Sequence, residues 1–130
     1  MNAITRIPIP IYLAELVIIH CTFDDLIANA TLLPRPLRSL DWASEKPCDG
    51  FADVVGGFAK PGATLRRYAY LYIDTVPPVR EKQLTIVHES AHLAVRLMSA
   101  IEQDITATSD EPFAYLLEWI TREAWKACGL

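Results

Sequence analysis

Cysteine is scarce in this chain: three residues in 130, Cys21, Cys48 and Cys128, far apart. Three widely spaced cysteines make no disulfide framework, so free thiols in a reducing compartment are expected. Excess charge is lacking too. A net charge of −4, with 22% charged residues, argues against nucleic-acid binding driven by net charge, and 52% hydrophobic residues exclude a disordered chain. No apolar run is long enough to span a membrane. The run Ile7–Ala14 follows Arg6, but Pro8 and Pro10 break it, Glu15 ends it and the small-residue site Ala28-Asn29-Ala30 lies behind Asp24 and Asp25, so it does not read as a signal peptide. The length suits one domain over residues 1–130.

Histidine is equally scarce, with three residues, yet two of them stand four apart in His88-Glu89-Ser90-Ala91-His92. This is H-E-x-x-H. On a helix, positions i and i+4 share a face one turn apart, so two imidazoles can reach one zinc ion. Glu89 stands beside that position, where a carboxylate can act as general base. The flanking sequence supplies the helix. Leu84, Val87, Ala91, Ala94, Val95, Met98 and Ile101 recur at steps of three and four, and Pro77-Pro78 marks the entry. This spacing predicts a helix over residues 79–101, with His88 and His92 at the margin of the buried stripe.

Catalytic zinc takes three protein ligands and a water. The third is a His, a Cys or a carboxylate. The cysteines lie far from the motif in sequence and His20 sits in an apolar strand, which leaves Glu111 as the best placed. Eighteen residues separate His92 from Glu111. The first of these finish the helix. The polar stretch 103–110 then reverses the chain, and Ser109 or Asp110 caps a second helix with Pro112 in its first turn.

H-E-x-x-H, eighteen residues and then Glu within Asp110-Glu111-Pro112-Phe113-Ala114 resembles the gluzincin zinc peptidases. The pattern is nearest to the aminopeptidase N type, where the segment reads N-E-G-F-A. The resemblance covers Thr85 to Glu118. It implies His88, His92 and Glu111 as ligands of Zn2+, Glu89 as general base and a water as nucleophile. The same stretch, continuing Tyr115-Leu116-Leu117-Glu118-Trp119, is similar to small bacteriophage and prophage proteins with an H-E-x-x-H helix followed by D/N-E-x-F-A-Y-L-x-x-W. That second resemblance assigns no activity, and it adds a virion-associated location to the cytoplasmic one.

Elsewhere, Tyr12–Cys21 reads as a buried strand, and Thr22-Phe23-Asp24-Asp25 as the capped start of a short helix. Residues 33–50, with three prolines, form a long connection. Phe51–Phe58 and Leu65–Asp74 read as two strands joined by a turn over residues 59–63. The second alternates, with Tyr68, Tyr70 and Tyr72 on one face and Ala69, Leu71 and Ile73 on the other. Because it runs directly into the motif helix, Tyr70 and Tyr72 are expected to flank substrate, and the strand's edge to pair with an extended peptide. Tyr115, one turn after Glu111, is expected beside the metal ligands.

The expected fold is therefore α+β: a small zincin-like domain with a short sheet against the H-E-x-x-H helix and a C-terminal helix. The expected activity is zinc-dependent hydrolysis of a peptide or protein substrate. The rival is a phage structural or interaction protein of the same fold with little catalysis, partnered by phage or host proteins.

Overall fold

The computed structural model describes residues 3–9, 12, 14–38, 40–42, 49–56, 67–101, 105–106 and 110–130. Four strands form one mixed sheet: β1 (Ile4–Ile9), β2 (Ala14–His20), β3 (Gly50–Gly56) and β4 (Arg67–Ile73), in the order β1-β2-β4-β3. β1 runs antiparallel to β2, β2 parallel to β4, and β3 antiparallel to β4. The helices are α1 (Phe23–Ala28), α2 (Arg35–Arg38), α3 (Val79–Ala100) and α4 (Asp110–Ala127). The chain is α+β, as its sequence implies. No helix among the described residues is long and apolar enough to cross a membrane.

The sheet is buried on both faces. In β2, Leu16, Val17, Ile18 and Ile19 are all inaccessible to solvent, as expected of a central strand paired in parallel. Leu16, Ile18, Ala69, Leu71 and Ile73 face α3 and α4, meeting Ile86, Leu93, Leu97, Leu116 and Ile120. Val17, Ile19, Tyr70 and Tyr72 face the other way, onto Leu26, Leu33, Leu37 and Trp42. The connection after β2 is thus a third layer, on the face of the sheet away from α3 and α4. Trp42 anchors it by donating its indole N–H to the Leu37 carbonyl at 2.9 Å and by stacking on Phe51 at 5.8 Å.

Several expectations correspond to observed elements. Thr22 Oγ1 accepts from the Asp25 amide at 3.2 Å and caps α1. Pro78 occupies the position before α3. Gly129, at φ 71°, closes α4, with the Leu130 amide donating to the Trp125 carbonyl at 2.8 Å. The turn expected over 59–63 lies outside the described residues.

Three points differ. β1 is an additional strand. Pro8 within it and Pro10 just after it break the apolar run of the sequence, but Pro8 is tolerated because β1 is an outer strand. β4 is not an edge: it pairs with β2 on one side and β3 on the other, so β3 is the outer strand beside α3. Asp110 is the first residue of α4 rather than a cap outside it, and Ser109 is not among the described residues.

Candidate metal and acid–base site

α3 buries a face rotated from the one its apolar spacing predicts, sharing with it only Ala94 and Met98. Ile86, Ser90, Leu93, Ala94, Leu97 and Met98 are buried, whereas Leu84, Val87, Val95 and Ile101 are exposed. The helix is apolar on both sides, and the sheet takes the row with the bulkier Ile86, Leu93 and Leu97. His88 and His92 consequently lie on an outward face rather than at a half-buried wall, and the His88 side chain is 68% exposed.

The two imidazoles nevertheless converge. Their ring centroids are 4.7 Å apart, their planes cross at 79°, and Nε2 of one lies 3.1 Å from Nε2 of the other. Two nitrogens on a tetrahedral zinc at roughly 2.05 Å stand about 3.3 Å apart. The pair therefore fits a shared metal with only a small adjustment. In the metal-free protein the same distance suits one Nε2–H donating to the other ring's lone pair.

Glu89 lies on the flank of the helix turned towards the sheet. Its side chain is 15% exposed, and its Oε1 stands 4.0 Å from His88 Nε2. Burial raises its carboxyl pKa, opposed by the nearby His88, His92 and Arg96. A carboxylate with raised proton affinity beside a metal position suits a general base. Arg96 reaches across to β3, donating to the Ala52 carbonyl and standing 3.7 Å from Asp53 Oδ1. A shallow cleft of about 360 Å³ opens beside the pair, lined by Asp49, Gly50, Leu84, Thr85, His88 and Glu89.

No family model, curated protein or solved structure matches this chain.

The other sequence-derived candidates stand elsewhere. Glu111 is exposed, in the row Glu111, Tyr115, Glu118 and Arg122, which lies opposite the buried stripe Leu116, Ile120 and Ala124. Among the described residues no group of three or more His, Cys, Asp or Glu is arranged to hold a metal, so Glu111 does not join the histidines. Tyr115 is 68% exposed in the same row and does not stand beside a completed ligand set. Tyr70 and Tyr72 are buried on the sheet face turned away from α3. Their alternation is as expected, but α3 packs on the Ala69, Leu71 and Ile73 face, so the tyrosines do not flank the histidines. Thr85 and Arg96 were missed, although both lie on the helical face of Glu89, at spacings of four and seven. Gly50 opens β3, Asp49 directly precedes it, and neither carries a local signal.

Proposed function

We propose that this chain is a zinc-dependent hydrolase of peptide bonds in which His88 and His92 hold the metal and Glu89 is the general base. The observation that carries this reading is the 3.1 Å convergence of the two Nε2 atoms, with a half-buried carboxylate next to them. Bound zinc would polarise the scissile carbonyl and acidify water. Glu89 would take a proton from the attacking water and pass it to the leaving amine, a role its raised pKa favours. The cleft between α3 and the start of β3 gives substrate access from solvent. Zincin-like architecture and the role of Glu111 as third ligand rest on the gluzincin resemblance. Its place on the outward row of α4 means that the start of α4 has to turn towards α3 for Glu111 to bind.

Zinc titration and a peptide-library assay test the reading. The wild type is expected to bind one zinc, His88→Ala to lose it, and Glu111→Ala to bind at least ~10-fold more weakly, by extension from the effect of losing groups behind the ligands. Glu89→Gln should keep zinc and lose turnover. A wild type that binds no zinc at micromolar concentration, or a Glu89→Gln variant as active as the parent, overturns it.

A second reading has its own support: Leu84, Val87 and Val95 form an outward apolar row alongside the histidines. Such a row suits an interaction protein that docks through α3 and performs little catalysis. Native mass spectrometry separates the two, because a strictly monomeric protein that cleaves peptides excludes the interaction role.

A further inference from the structure

Two side chains from opposite faces of the sheet meet around the outer edge of β3. The ladder fixes which backbone groups of this strand face outward. The Asp74 amide donates to the Asp49 carbonyl at 2.9 Å, one position beyond the Gly50–Ile73 pair. Opposed residues of an antiparallel ladder alternate between pairs that exchange both hydrogen bonds and pairs that exchange none. Phe51–Tyr72, Asp53–Tyr70 and Val55–Tyr68 are therefore the bonded pairs. Gly50, Ala52 and Val54 turn their backbone groups away from β4. Two of these outward groups are engaged by side chains: the Ala52 carbonyl accepts from Arg96, and the Val54 amide donates to Asp53 Oδ1 at 2.7 Å.

Arg96 and Asp53 also meet each other, 3.7 Å apart. Ala52 and Val54 pack on the side of α3, whereas Phe51 and Val55 pack on the other side of the sheet. Asp53 alternates with Ala52 and Val54, so it leaves the strand on the side away from Arg96. Their contact passes around the edge of β3 as a clasp. The two side chains are 45% and 55% exposed, and an ion pair so open to water adds little stability. What the clasp governs is access: a strand approaching β3 needs the Ala52 carbonyl and the Val54 amide, and both are covered while it is closed.

The far edge of the sheet is blunted at the equivalent position by another means. The His20 amide donates to the Ala3 carbonyl at 2.8 Å, one position beyond the Ile4–Ile19 pair. The same alternation places Ile4, Arg6 and Pro8 in the outward row of β1. Pro8 has no N–H to offer an incoming strand there.

We propose that the Arg96–Asp53 clasp keeps the outer edge of β3 from adding a strand, and that opening it lets two copies of this chain pair β3 to β3, antiparallel, about a two-fold axis. In a solution of one protein the strand that meets an open β3 edge is the same edge of a second copy, and such a pairing is self-complementary. The clasp acts independently of any metal at His88 and His92.

The test uses the full chain in EDTA and follows self-association by sedimentation equilibrium. Arg96→Met removes the donor to Ala52, and Asp53→Ala removes the acceptor for Val54 and the partner of Arg96. Each is expected to raise the dimer association constant about tenfold or more over the parent, because backbone groups on both copies become available to each other. Adding Val54→Pro to Asp53→Ala is expected to return association to the parent's level. Val54 does not donate to β4, so proline there removes no bond of the ladder while denying one to a second copy. Hydrogen exchange supplies a readout that needs no proline. In concentrated Asp53→Ala the Val54 amide is expected to exchange about tenfold or more slowly than in the dilute variant. Association equal to the parent's in both single variants overturns the proposal. So does association that persists in folded Asp53→Ala/Val54→Pro, or a Val54 amide that exchanges equally fast at both concentrations.

Discussion

Replacing Gly50 by alanine probes the join between sheet and motif helix. Gly50 opens β3 opposite Ile73, and its backbone lies against α3. A Cβ there would stand 2.7 Å from the Tyr72 carbonyl oxygen, 2.7 Å from Thr85 Cγ2 and 3.3 Å from Ile73 Cδ1. Thr85 is a side chain on α3 with some freedom to shift. The Tyr72 oxygen belongs to β4, which β2 and β3 hold from both sides, so it cannot move alone. The start of β3 has to be displaced instead. Overpacking of this kind costs about 1–3 kcal/mol. The gain from restricting the unfolded chain on Gly→Ala, about 0.4–1 kcal/mol, offsets only part of that. The net loss is about 1–2 kcal/mol, or roughly 3–10 °C in Tm for a chain of this size. Thermal unfolding by circular dichroism, in EDTA, measures it. Thr85→Ser removes Cγ2, so Gly50→Ala/Thr85→Ser should recover a minority of the loss while the clash with the Tyr72 oxygen stays. A single Gly50→Ala variant within about 1 °C of the parent, or complete recovery in the double variant, refutes the argument.

Other outcomes follow from the same geometry. Burial raises the Glu89 pKa in the folded state, so its stabilising contribution is fully present below the unfolded carboxyl value of about 4.3 and is lost as pH rises through the folded value. Glu89→Gln, measured without metal, should therefore match the parent in Tm near pH 4 and exceed it at pH 7.5; equal values at both pH settings contradict this. Burial pushes the Cys21 thiol up to about 11, leaving a thiolate fraction at pH 8 of about 0.001, against roughly a quarter for an unperturbed thiol. Alkylation by iodoacetamide, followed by peptide mass spectrometry, should be at least ~100-fold slower at Cys21 than at a free cysteine, and parity would refute the burial argument. Tyr70→Phe, on the sheet face away from α3, should leave zinc affinity within about twofold, since groups that do support ligands cost about 10–100-fold. A tenfold loss would restore Tyr70 to the site.

The parts of the fold legible in the sequence are those decided locally. The block Leu16–Ile19 has one reading, because four adjacent apolar residues fit a strand covered on both faces. Thr22, Pro78 and Gly129 work through their own backbone neighbours and stand where their chemistry requires. β1 was hidden because Pro8 is acceptable only in an outer strand, and strand order is a long-range property. The orientation of the tyrosine stripe was hidden for the same reason. Alternation separates two faces but does not say which of them α3 will cover.

The candidate site divides along the same line. Convergence of His88 and His92 needs only a helix, since four residues of separation bring their Nε2 atoms to 3.1 Å on whichever face they lie. What surrounds them depends on how α3 is rolled on the sheet. Apolar rows run along both sides of this helix, Leu84-Val87-Ala91-Val95 on one and Ile86-Leu93-Leu97 on the other, so periodicity alone does not select one. Packing against Leu71 and Ile73 selects the bulkier row and turns the histidines outward. Glu89, one residue on, is carried towards the sheet by the same roll and becomes the half-buried carboxylate beside them. Glu111 has no such local rule. Its distance from the histidines depends on the path between two helices and on the roll of α4, where burial of Leu116, Ile120 and Ala124 sets it on the opposite face. The convergence of a histidine pair within one helical turn is therefore a property of the sequence, whereas the approach of Glu111, nineteen residues after His92, depends on how the helices pack, and zinc affinity in Glu111→Ala measures that dependence directly.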